Sequence, residues 1–393
     1  MRNFSRALAV IAAIALSASV QAQDYETTAF NAYAPTDGDF RRTSIDYSTW
    51  TMMLSEIVLN VGYSDRRSPR GNTIATGTRV STGNNSRFRY EANRVIYHLV
   101  EDFHLEAISE YRRELEQLPE RVNLTRLHPD EQLAFWLNLY TVATIEQVGL
   151  IYPQSDLRRA RAAGSDLQMH EAPVVTIFGR PLSLNDIQYN IVYRYWDDPR
   201  VIYGFFNGTI GSPRVMREAY EADRVWQQLE SNGREFVNSL RGVDNSPRRL
   251  AVSRHYERAA DRYFANWPDD LRVHLRSYAG DDVMELLDSD IPVRATSDEW
   301  GIADMTNGSN RCGGSISQTL VTRRDGRTTD SMFCGGLPDN ARVLMEYVID
   351  RRIRQFRDGT LGDVYIRDLP DRNIVIDLDD DDDDANDEGG NSN

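Results

Sequence analysis

One run of sequence limits what this chain can become. Between residues 133 and 145 there is no charged side chain, and only Asn138, Thr141 and Thr144 are clearly polar. His128 stands where a helix cap is expected, Pro129 takes the first helical position, and Asp130 and Glu131 follow. Proline loses nothing there, since its missing N–H would be unpaired anyway, and acids favour the positive end of a helix. A helix apolar nearly all round is a buried one. Its 13 uncharged residues fall short of the roughly 20 that a bilayer span needs. Residues 127–148 are therefore expected to form the central helix of a globular domain.

Residues 1–22 read as a secretory signal peptide. Arg2 and Arg6 form a basic start, residues 7–20 are apolar, and Val20-Gln21-Ala22 is a small-residue cleavage pattern. An uncleaved anchor is the alternative, disfavoured by the short run. No later segment is apolar and long enough to span a membrane. The expectation is a periplasmic or secreted protein, cleaved near Ala22. Net charge is −15, or −17 without Arg2 and Arg6; residues 377–388 hold nine acids, so the body carries −8. That balance argues against nucleic acid as a partner. All 45 basic residues are arginine, which excludes a Schiff-base lysine, a lysine-bearing phosphate loop and a Ser–Lys dyad. In an exported chain the only two cysteines, Cys312 and Cys334, are expected to pair. Closing that loop would stabilise the fold by roughly 3 kcal/mol.

Apolar spacing predicts helices over residues 48–61 and 89–118. The second has Val95, Leu99, Phe103, Leu105 and Ile108 inward, Arg112 and Arg113 in solvent, and Pro119 as its stop. Short β-branched runs predict strands at 174–178, 201–206 and 250–253, with Gly179-Arg180-Pro181 as a turn. Helices are expected at 183–196, from Pro213 to about residue 240, at 255–267 and at 339–357. The fold class is α+β: a helix-rich domain around a buried central helix with a few short strands, plus a small disulfide-stapled C-terminal module. The expected division is a signal peptide (1–22), an irregular segment (23–44), the main domain (45–280), the C-terminal module (281–376) and a disordered acidic tail (377–393).

Several blocks occur together: Tyr47-Ser48-Thr49-Trp50, the run Ala134-Phe135-Trp136-Leu137-Asn138-Leu139-Tyr140, Gly179-Arg180-Pro181-Leu182-Ser183-Leu184, Asp198-Pro199-Arg200, Ser212-Pro213, Ala219-Tyr220 and Val252-Ser253-Arg254-His255-Tyr256. In that order they resemble the bacterial family called domain of unknown function 547, over roughly residues 45–280. The resemblance brings no established reaction. It does imply a Cys, His and acid set, suited to a nucleophile with its base, and this chain departs from it throughout. Gln188 and Tyr189 replace the glutamate and histidine, Ile202 replaces a second histidine, and Asn207 and Ser212 replace two cysteines.

The remaining candidates are few. Ser212 is either a substitute nucleophile, which needs a base such as His170 or His255, or a cap for a helix opened by Pro213. Residues 207–212 before such a helix would also suit an anion. Asn138, a polar amide in the most apolar helix, either ties that helix to a backbone segment or lines a pocket. The candidate pocket comprises Asn138, Tyr140, Gln188, Tyr189, Arg200, Asn207 and Ser212. Residues 313–317 miss Gly-x-Ser-x-Gly at the last position. The six histidines form no zinc spacing, and the Asp run at 379–384 lacks the ligand order of a calcium loop. No catalytic residue, metal or cofactor is assigned, and the partner is unknown. The sequence favours a non-catalytic binding or structural module; the alternative is a hydrolase or amide-processing enzyme around Ser212.

Overall fold

The computed structural model describes residues 30–36, 43–67, 86–246, 248–308, 317–322, 328–333 and 339–357. The expected signal peptide, both cysteines, residues 364–376, whose pattern also predicts a strand, and the acidic tail lie outside the described residues. The chain divides into two compact units, residues 1–349 and 350–393. The second is described over its helical residues 350–357 alone.

Within the first unit, helix α1 (Ser48–Ile57) runs directly into β1 (Val58–Leu59), which pairs antiparallel with β2 (Arg94–Val95). The helix expected from residue 89 starts later, as α2 (Asp102–Arg121). Its first turn is closed by Glu101 and His104, with His104 Nδ1 accepting from the Glu101 N–H at 3.0 Å. Val95 is accordingly buried in a strand, whereas Leu99 and Phe103, expected inside, are exposed. The helix also continues through Pro119 instead of stopping there. Arg112, expected in solvent, reaches across to the next helix, donating to buried Glu146 and pairing with Glu116 at 2.7 Å.

The central helix is α3 (Pro129–Ile151). His128 caps it, its Nδ1 accepting from the Asp130 N–H at 3.2 Å, and Pro129 opens it. Every residue from 131 to 148 is buried, as a run with no polar face requires. Among the described residues no helix is long and apolar enough to cross a membrane.

A hairpin follows, β3 (Pro173–Ile177) with β4 (Arg180–Ser183). The turn lies at Phe178 and Gly179, both with positive φ, so Arg180 and Pro181 belong to the strand. Paired positive φ values match the twist of two-residue hairpin turns. Ser183 and Asp186 then exchange a capping pair at 2.9 and 3.1 Å and start a π-helical segment (Asp186–Val192) that ends in α4 (Tyr193–Tyr195).

Residues 201–206 depart from the expected strand. They fall largely in a 3-10 helix (Pro199–Gly204). The Asp198 carboxylate accepts from the Arg200 N–H at 2.9 Å and Pro199 takes the first position, so a cap overrides the β-branched run. Gly204 lets this segment lie on α3: a Cβ there would sit 2.5 Å from Leu137 Cδ2. Pro213 opens no helix, and the next one is α5 (Val225–Val237).

Strands β5 (Val243–Ser246) and β6 (Arg249–Ser253) pair antiparallel, and β7 (Val293–Ser297) joins β6 in parallel. The crossover holds α6 (Arg254–Arg258), α7 (Ala260–Tyr263), α8 (Asp269–Arg276) and α9 (Asp281–Asp288), so the single helix expected at 255–267 is split in two. The break expected at residue 280 is bridged in the fold. Beyond β7, residues 300–303 lace over the loop at 207–212: the Ile210 N–H donates to Gly301 at 2.8 Å and the Ala303 N–H to Gly208 at 2.9 Å. A last hairpin, β8 (Ser317–Thr322) with β9 (Thr328–Phe333), precedes α10 (Asp339–Arg357).

Candidate functional site

Asn138 is fully buried in α3 and gives both ends of its amide to one residue's backbone. Its Nδ2 donates to the Tyr220 carbonyl at 2.8 Å and its Oδ1 accepts from the Tyr220 N–H at 2.9 Å. This is the tie to a backbone segment, made to the irregular stretch before α5. Beside it lies a cavity of about 10 Å³ lined by Trp50, Thr141, Phe206 and Tyr220. Such a volume holds one water at most, so the cavity beside Asn138 has no room for a substrate.

Tyr140, Gln188 and Tyr189 meet in an aromatic cluster. Gln188 Nε2 donates to the Tyr193 hydroxyl at 2.9 Å. Tyr193 packs edge-on against Tyr189 at 5.4 Å and against Phe205 at 5.5 Å, and Phe205 meets Tyr140 at 4.9 Å. Burial raises the hydroxyl pKa of Tyr140, Tyr189 and Tyr193, so these phenols stay protonated. Arg200 is held elsewhere: its guanidinium grips Asp198 at 2.6 to 3.0 Å and lies 4.7 Å over the Trp226 ring.

Asn207 and Ser212 face each other within their loop, but neither is poised to react. The Ser212 hydroxyl is buried and donates to the Thr209 carbonyl at 2.9 Å, while accepting from the Asn207 N–H at 3.4 Å. The cap for a following helix is therefore replaced by a bond back into the loop. Asn207 Oδ1 accepts from both the N–H and the hydroxyl of Thr209. The N–H groups of Asn207, Thr209, Ile210 and Ser212 are all donated within the protein, so four of the loop's six are already engaged. Gly208, at φ 88°, lets it turn against α3, where a Cβ would sit 2.9 Å from Val148.

Two histidines do approach this region, and they bind carbonyls instead of Ser212. His170 Nε2 donates to the Asn207 carbonyl at 3.1 Å, and His255 Nε2 to the Ile202 carbonyl at 2.7 Å. Burial pushes both rings down to about 4, against these hydrogen bonds and with help from the nearby Arg258 charge. Both are neutral at pH 7. Arg258 stacks 5.2 Å over Trp300, whose indole N–H and Arg258 itself converge on Asp298 at 2.9 and 2.6 Å. Sequence reasoning misses His170, Arg258 and Trp300 as a group because residues far apart in the chain assemble them. Only the expectation that His170 or His255 would come near in space points this way.

Among the described residues no group of three or more His, Cys, Asp or Glu side chains is placed to hold a metal ion. Neither the curated proteins nor the solved structures give a match to this chain. One family model does match, over residues 124–237, a narrower span than the sequence blocks suggest. It covers α3, the 3-10 segment, the 207–212 loop and α5, and the family that this part of the chain matches is "Protein of unknown function, DUF547".

Proposed function

We propose that this protein is an exported, non-catalytic binding or structural module. One observation carries the reading. Four of the five positions where the family resemblance implies thiol, imidazole or carboxylate hold a side chain that is apolar or already hydrogen-bonded, and the fifth, Tyr189, packs its ring edge-on against Tyr193. Ile202 is fully buried, Gln188 serves Tyr193, Asn207 serves Thr209, and the Ser212 proton goes to a carbonyl. A serine nucleophile needs a base within hydrogen-bond reach, and the nearby imidazoles are spent on Ile202 and Asn207. The test is to offer the mature chain p-nitrophenyl esters, p-nitroanilides and a fluorophosphonate probe beside Ser212→Ala. Equal, background-level signals are expected. Turnover or labelling lost in a folded Ser212→Ala chain would establish the hydrolase instead.

The same reading includes a Cys312–Cys334 disulfide. Support comes from the hairpin that lies between them in sequence: β8 and β9 pair Ser317 with Phe333, the residue before Cys334. Thiol titration of the unfolded, unreduced chain should find no free thiol; two thiols would remove the staple. Export is tested by cell fractionation with N-terminal sequencing, which should begin at Gln23.

A further inference from the structure

A larger opening lies away from all these residues. A groove of about 480 Å³ runs beside β7 and is lined by residues 292–296 without a gap, together with Arg248, Arg249, Glu257 and Trp267. Side chains of a strand alternate between faces, so a groove along one face would touch every second residue. Contact with four strand residues in succession, Val293 to Thr296, places it along the strand's edge. β7 is the end strand in the order β5-β6-β7, and among the described residues no strand or bridge pairs with its outer edge.

The charge here is opposite to that of the chain as a whole. Arg248 and Arg294 make no hydrogen bond or ion pair among the described residues, and Arg249 makes only a long bond to the Ser246 hydroxyl, 3.4 Å. Glu257, the one acid in the lining, is engaged by Arg254 at 3.4 Å. Three guanidiniums therefore face a groove whose only carboxylate is taken, on a chain of net charge −15. Screening over roughly 8 Å at physiological salt leaves this local field to act on what enters. Arginine forks fit carboxylates two bonds at a time. Trp267, partly buried against the core, offers an apolar wall on the same groove.

We propose that the outer edge of β7 receives an extended acidic peptide segment of a partner protein as an added strand. The partner's backbone pairs with β7, its carboxylates meet Arg248, Arg249 and Arg294, and an apolar side chain between them rests on Trp267. A polypeptide is the occupant because only it presents N–H and C=O groups at the strand's own repeat. The proposal rests on the reading of the protein as a binding module and names the chemistry of its partner.

The experiment uses the full mature chain and a fluorescein-labelled peptide of alternating Val and Glu, read by anisotropy. It is run beside three comparisons: the same peptide with Pro in place of each Val, a Val–Lys peptide, and the Arg248→Glu/Arg294→Glu double variant. Both substituted arginines are exposed and unpaired among the described residues, and circular dichroism confirms that the variant folds. Saturable binding is expected, weakened at least about tenfold in the double variant and by proline, and absent with Val–Lys. No binding, or equal affinity in the double variant, overturns the proposal. Equal binding of the proline peptide also overturns it, leaving a site for anions without strand pairing. Ester and anilide turnover is scored separately, so failure here and failure of the non-catalytic reading give different results.

Discussion

Asn138 offers the sharpest test of how the central helix is anchored. Replacing it by alanine strands the N–H and the carbonyl of Tyr220, both buried, whose bonds to the amide measure 2.9 and 2.8 Å. Two such groups left unpaired cost about 1–3 kcal/mol each. The cavity beside the side chain grows on truncation and admits water, which moves the sum to the lower half of that range, about 3 kcal/mol. Asn138→Asp separates the hydrogen bonds from the packing. At pH 7 an ionised carboxylate would point an acceptor at the Tyr220 carbonyl, so this variant should be less stable than Asn138→Ala. A protonated carboxyl can both donate to that carbonyl and accept from the N–H. Burial raises its folded pKa above the unfolded value of about 3.9, so the folded state binds more protons and stability returns as pH falls through the raised pKa. Urea unfolding of both variants and the parent at pH 7, 6 and 5 measures this. A gap between Asn138→Asp and the parent that does not narrow with falling pH would refute the reasoning, as would an alanine variant costing under about 1 kcal/mol.

Other predictions address the packing around it. Gly204→Ala puts a methyl 2.5 Å from Leu137 Cδ2 and should cost about 1–3 kcal/mol by urea midpoint; an unchanged midpoint would show that Leu137 yields freely. Arg112→Ala leaves the buried Glu146 carboxylate without its partner and should cost about 3 kcal/mol, much more than removing an exposed pair such as Arg234–Glu230. His255, His170 and His274 are each held down to about 4 by burial. Unfolded histidines take up protons near pH 6.5, so the unfolded state holds more of them between the two values and stability falls as pH drops from about 6.5 to 4. His255→Asn should flatten that fall by up to about 1.4 kcal/mol per pH unit, seen in the difference between parent and variant; parallel curves would show that His255 is not a buried neutral ring.

The central helix is legible in the sequence because its signal is the absence of a polar face, and its start is written in His128-Pro129. The strands at 173–177 and 249–253 and the helix at 339–357 are legible from local pattern in the same way. The 3-10 segment at 199–204 looks like a strand because Val201-Ile202-Tyr203 is buried on all sides and has no period. The Asp198-Pro199 cap and first position carry the better signal there. Leu99 and Phe103 are placed inward by a helical period that in fact runs through a strand and a 3-10 turn before α2 begins. Of the residues named for the candidate pocket, Tyr140, Gln188 and Tyr189 pack into one cluster and Arg200 lies outside it. His170, Arg258 and Trp300 reach the region through pairings across tens of residues, for which a single sequence holds no local trace.

The lacing of residues 300–303 over the 207–212 loop bears on how the chain is made. The loop's Ile210 N–H and Gly208 carbonyl find their partners in Gly301 and Ala303, about ninety residues further on. A ribosome that has delivered the family segment, residues 124–237, has not yet delivered the groups that complete it, and the parallel strand β7 arrives equally late. Such distant pairings slow folding, since a long loop must close before they form. In an exported chain, as proposed, that delay is useful, because the domain cannot finish folding before its last third has appeared. A fragment cut at residue 237 would match the family and lack the partners of Gly208 and Ile210.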